Sequence, residues 1–192
     1  MTMAAGLPKR FARAMRRALP RSIARRFMHR EDGAAAVEFG LVAAPFLALV
    51  FAIIETAMVF FAGQALETAG SDSARLIMTG QAQTSGFDQK KFKDAVCGRI
   101  YGLFNCAGGL QVDVKKFPTF ASVNLSKPID ANGNLNTANF GYEPGGPGDI
   151  VVVRLMYQWP VYVSLLGLNL SDMSGNKRLL MTTVAFRNEP YQ

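Results

Sequence analysis

From Phe39 to Gly63 the chain runs 25 residues with a single ionisable side chain, Glu55. As helix this stretch reaches about 37 Å at ~1.5 Å per residue, more than the ~30 Å hydrocarbon core of a bilayer. Glu38 stands at its leading edge. A lone carboxylate placed in lipid costs roughly 2.5–3.5 kcal/mol on insertion scales, so it requires a reason. Glu38 and Glu55 bracket 16 uncharged residues, which lets each carboxylate sit near one membrane interface. The run reads as a membrane span.

Charge divides the chain at the same place. Residues 1–33 hold nine Lys and Arg against Glu31 and Asp32, a net of 9 − 2 = +7, and the whole chain is 21 − 14 = +7. Residues 34–192 are therefore neutral, with 12 basic and 12 acidic groups. The basic balance belongs to the leader, which argues against a nucleic-acid-binding domain carrying a basic face in its folded part. Nine cations precede the span and only Arg75 falls in the 20 residues after Gly63, so the positive-inside rule keeps the N-terminus cytoplasmic and exports the rest. The expected organisation is a basic leader over 1–33, a transmembrane helix over 34–63 and an exported domain over 64–192.

Other readings compete for the N-terminus. A cleaved secretory signal could use Gly63-Gln64-Ala65, but its apolar region would be longer than the usual 7–15 residues. Residues 1–30 are Arg-rich and free of Asp and Glu, as in a mitochondrial presequence. An uncleaved signal anchor would make the next feature coincidental.

That feature is Gly33 followed five residues later by Glu38, in Gly33-Ala34-Ala35-Ala36-Val37-Glu38-Phe39, set between the basic leader and the apolar helix. It resembles a type IV prepilin cleavage site, and is most similar to the minor pilins (pseudopilins) of tight-adherence pili, the TadE/TadF-like group. The resemblance implies that a prepilin peptidase of the bacterial inner membrane cuts between Gly33 and Ala34, making Glu38 the fifth residue of the mature chain. It implies other pilins and the pilus assembly platform as partners, beside the lipid bilayer. It also implies an exported domain that is periplasmic, or extracellular once in a filament. The new α-amine at Ala34, of ordinary pKa near 8, offers an opposite charge to a neighbouring subunit's Glu38. The major pilin of these systems has Glu-Tyr where this chain has Glu38-Phe39 and is far shorter, which points to a minor component. The end of the chain, Thr183 to Tyr191, resembles the tails of the same group weakly; the middle has no counterpart.

Within the span, Gly40, Ala44, Ala48, Ala52 and Thr56 recur every four residues, a spacing at which small side chains let helices approach closely. Nine of the 25 span residues are small, so chance could also align them. Pro45 removes one backbone donor and is expected to kink the helix.

Past Gly63 the helical pattern continues to Gly80, and a polar loop follows to Gly86. Asp88 to Leu103 reads as a second helix with Phe92, Val96 and Ile100 on one face and Lys90, Lys91 and Lys93 opposite. From Gly109 the period becomes two: Leu110, Val112 and Val114 alternate with polar residues as in a half-buried strand. Residues 126–149, rich in Gly, Pro and Asn, read as a long exposed excursion, with a possible strand near Phe140. Ile150 to Trp159 is the strongest strand; Pro160 should interrupt it and Val161-Tyr162-Val163 resume it. A last strand covers about Arg178 to Arg187. Helices first and strands after give an α+β domain with an antiparallel sheet of three or four strands.

Cys97 and Cys106 would both reach an oxidising compartment, where a disulfide can form. On one helix they would lie about 13 Å apart at ~1.5 Å per residue, beyond the ~7 Å a bridge allows, so the helix must end and fold back between them. Two separate buried thiols are the alternative.

No catalytic constellation emerges. The only histidine, His29, lies in the leader, which leaves the exported part without a Ser-His-Asp or Cys-His arrangement or the common zinc sites. Asp113, Asp130, Glu143, Asp149 and Asp172 follow no motif and read as solvated. Gly145-Gly146-Pro147-Gly148 places proline where a phosphate loop needs donors. No cofactor and no small-molecule substrate is expected. The sequence reads as a structural or assembly protein rather than an enzyme; the competing class is a signal-anchored envelope protein with a binding or enzymatic domain outside any filament.

Overall fold

The computed structural model describes residues 31–100, 102, 104–123, 126–162 and 169–191; side chains are described from Gly33 onward. It divides into two compact units, 1–48 and 49–192. Helix α1, Glu31–Met78, runs through both, and neither Pro45 nor Gly63 ends it.

In the second unit α1 has an amphipathic stripe. Ala52, Glu55, Val59, Ala62, Leu66, Ala69, Ser73 and Ile77 are buried, at the three- and four-residue steps that place side chains on one face. This face packs on a three-stranded antiparallel sheet of order β1-β2-β3: β1 Gln111–Phe117, β2 Ile150–Pro160 and β3 Lys177–Arg187. The register pairs Val114 with Val153, and Val153 with Val184. Val112, Val114, Val151, Val153, Leu155 and Leu180 meet Leu66, Ala69 and Ile77 in the main core. A Cβ on Gly70 would lie 2.8 Å from Thr182 Cγ2, so glycine there sets how closely α1 approaches the sheet.

Three short helices complete this side. Gln81–Thr84 forms α2 inside the segment expected as loop, after Gly80, whose φ of +77° suits glycine. The Tyr191 ring fills the space a Cβ on Gly80 would need, and Glu189 N donates to Met78 O at 2.8 Å, so the chain's end closes over the end of α1. Helix α3, Gln89–Cys97, is capped by Asp88, which accepts from Lys91 N. It is shorter than the expected Asp88–Leu103, because Gly98 caps it and the chain turns; Leu103 lies outside the described residues. Helix α4, Cys106–Gly109, follows, and Cys97 and Cys106 are joined, Cα to Cα 5.6 Å. The turn between them seats Phe104 4.2 Å from the Tyr157 ring, centroid to centroid.

Two strand expectations need correction. Pro160 does not interrupt β2 but ends it, still opposite Lys177, at a point where β1, whose pairing stops at Met156, no longer flanks the strand and β2 is an edge. Val161 and Tyr162 then leave the sheet, and Val163 lies outside the described residues. No strand forms near Phe140; one parallel bridge joins Val114 to Tyr142.

The 126–149 excursion is not a free loop. It lies over the sheet's second face, where Ile129, Leu135 and Phe140 pack on Met156, Leu179, Met181 and Met173. Asp113 anchors it. This side chain, read as solvated, is 1% exposed and accepts from Gly141 N at 3.0 Å and from Arg154 Nε and Nη2 at 3.1 and 2.5 Å. Lys127 adds a 2.6 Å pair with Asp172. Burial alone would raise the Asp172 carboxyl, but hydrogen bonds from Lys127 and Leu179 N, with the charges of Lys127 and Arg178, hold it below the ordinary carboxylate value.

Candidate assembly site on the N-terminal helix

The first unit presents a helix with apolar side chains on every side. Val37, Phe39, Leu41, Val42 and Phe46 are 61–74% exposed. With Leu47, 49% exposed, these positions surround the axis at 100° per residue, the pattern of a helix whose proper surroundings are apolar. One helix in the described residues is long and apolar enough to cross a membrane, and only 6% of its most apolar window is buried, which separates it from the core helix of a water-soluble fold.

Gly33 is half-buried at the start of this surface, and Ala34 and Glu38 are exposed. Ala34 and Glu38 are four apart, so they share a face of α1. Among the described residues no hydrogen bond or ion pair reaches the Glu38 carboxylate.

The small-residue row splits. Gly40 and Ala44 are exposed and Ala48 is half-buried, whereas Ala52 is 5% exposed within the second unit. Thr56 is half-buried, and its Oγ1 donates to Ala52 O at 2.8 Å. Of the five positions of the expected row, Ala52 is the one covered within the second unit.

Glu55 behaves unlike Glu38. It is 9% exposed and accepts a 3.3 Å hydrogen bond from Tyr162 N. Sequence reasoning placed it at an interface and missed this partner, 107 positions away. The signal was available only in part: Ala52, Glu55, Val59, Ala62 and Leu66 already fall at helical steps that mark a covered face.

Residues 33–75 match the family model described as TadE-like protein. The match begins on Gly33, ends within α1 and does not reach the tail of the chain. No curated protein and no solved structure matches. The similarity to TadE-like proteins thus covers 43 of the 192 residues, all of them in α1. Among the described residues no group of three or more His, Cys, Asp or Glu is placed to hold a metal.

Proposed function

We propose that this chain is a minor pilin, or pseudopilin, that enters, initiates or caps a tight-adherence pilus. The observation that carries the reading is Glu38: an exposed, unpartnered carboxylate in an apolar helix, five residues after the glycine at the charge break. In this reading a prepilin peptidase cuts after Gly33 with residues 1–33 in the cytoplasm. The exposed part of the 34–63 segment, before the domain's contacts begin at Ala52, is held in the inner membrane and the domain lies outside. The freed Ala34 amine of one subunit then meets the Glu38 carboxylate of another. Opposite charges a few ångströms apart attract far more strongly in an apolar bundle than in water, which makes the pair a register device between subunits. Gly40 and Ala44 would let the neighbouring helix come close. The role is structural, not catalytic.

Glu38→Ala tests it. Processing and membrane insertion should persist, since removing a carboxylate from lipid favours insertion, while incorporation into pili falls. Normal incorporation of Glu38→Ala would overturn the pairing, whereas absence of the parent chain itself from pili would favour a signal-anchored envelope protein outside the filament.

A further inference from the structure

A second candidate site lies far from the helix, where the 126–149 excursion crosses the β1 edge of the sheet's second face. It is a cleft of about 370 Å³, within the range of small-ligand pockets. We propose that it binds a carboxylate-bearing saccharide.

The charge of the cleft sets the sign of the ligand. Lys115 and Arg154 both line it, and no acidic side chain does among the described residues around it. Asp113 beneath them is already committed to Gly141 N and to two nitrogens of Arg154. Lys115 Nζ stays 4.0 Å from Asp113, and Arg154 Nη1 has no partner among the described residues. One carboxylate faces two cations, so a net positive charge remains.

The remaining lining decides among anions. Asn136 uses its Oδ1 to accept from Ala138 N at 3.0 Å, which leaves its amide donor for a ligand, and Asn139 is exposed beside it. Phe117 and Phe140 supply apolar walls. A bare sulfate would satisfy the cations and leave the aromatic walls unused. A fatty carboxylate would fill the walls and leave the exposed Asn136 and Asn139 amides to water. A sugar acid uses all three: a carboxylate for Lys115 and Arg154, hydroxyls for Asn136 and Asn139, and a C–H face for the phenyl rings. The excursion is also longer than a connection between strands requires, and loops of that length are commonly functional.

The test is calorimetric titration of the detergent-solubilised chain with glucuronate, an oligogalacturonate, glucose and sulfate. Glucuronate should bind saturably, more weakly at higher salt, with glucose about tenfold weaker, the size of a lost charge-assisted hydrogen bond, and sulfate weaker as well because it offers neither hydroxyls nor a C–H face. Lys115→Gln should weaken glucuronate by a similar factor. Lys116→Gln, on the next and oppositely directed β1 residue, should change nothing. A tighter oligogalacturonate identifies a surface polysaccharide as the source, and equal affinity identifies the free sugar acid. Absence of saturable binding to either acid, equal binding of glucose or sulfate, or an unaffected Lys115→Gln variant would overturn the proposal. Glu38→Ala should bind as the parent does, so failure here and failure of the pilus reading are distinguishable.

Discussion

The two stretches of α1 on either side of residue 48 share one helix and differ in what they rest against. Residues 34–47 leave Val37, Phe39, Leu41, Val42, Phe46 and Leu47 open around the helix, with a Glu38 among them that has no partner among the described residues. Residues 52–77 turn one face into the sheet, and the carboxylate on that face, Glu55, is answered by Tyr162 N from the same chain. The second stretch carries its own partner; the first has none among the described residues. A carboxylate in an apolar helix is thus a domain contact in one place and an unfilled requirement in the other.

The sharpest way to break this comparison is truncation on each side. Leu66→Ala removes a side chain 1% exposed in the main core and should cost about 2–5 kcal/mol. Leu41→Ala, 71% exposed, should leave domain melting unchanged and alter only membrane association. Thermal denaturation of both variants in detergent checks the pair. Equal losses would erase the distinction.

The next effect belongs to the bridge that shapes the second unit. Closing a loop of about ten residues is worth roughly 2–3 kcal/mol in the chain-entropy model. Cys97→Ser should lower the domain's melting temperature without affecting processing at Gly33. Thiol labelling of the exported parent under denaturing, non-reducing conditions should find no free cysteine.

The two carboxylates then sharpen the contrast. Glu55→Ala strands the Tyr162 N–H and should cost about 1 kcal/mol of domain stability. Glu38→Ala should leave the melt unchanged. A melt that responds to Glu38→Ala as strongly as to Glu55→Ala would show that the first stretch also contributes to the folded unit.

The smallest effect is alkaline. Burial, aided by the charge of Asp88, pushes the Tyr142 phenol from 10.0 up to about 12. The raised folded-state value means that its contribution is complete below pH 10 and is lost as pH rises from 10 to 12, while the unfolded chain ionises first. The Tyr142 hydroxyl is buried without a partner. Tyr142→Phe should therefore match the parent at pH 7 and lose less stability than the parent at pH 11.

Much of this organisation is written locally in the residues. The apolar span, the charge break at Gly33, the α+β order and the two faces of β3 follow from periodicity and charge, which depend on near neighbours. The two faces of β3 separate as expected: Leu180 and Val184 join the main core while Met181 joins the second. What escaped reading depends on distant partners. Asp113 looks solvated in an alternating strand until Arg154, 41 positions on, and Gly141 enclose it. The 126–149 excursion has loop composition throughout, and only the scattered Ile129, Leu135 and Phe140 reveal that it covers a sheet face. The early end of α3 rests on Gly98 and on where Phe104 finds its aromatic neighbours, a tertiary preference that outweighs helical periodicity. Glu55 belongs with these: its partner is a backbone N–H that no side-chain pattern announces.

The central claim is that the open stretch of α1 is made ready for assembly by cleavage at its edge, and the mature N-terminus tests it most directly. Intact-mass analysis and N-terminal sequencing of the chain from a native membrane fraction should find it beginning at Ala34, 159 residues long after loss of 33 of the 192. A chain that retains residues 1–33 in a host with an active prepilin peptidase, or that begins at Leu66, would contradict it.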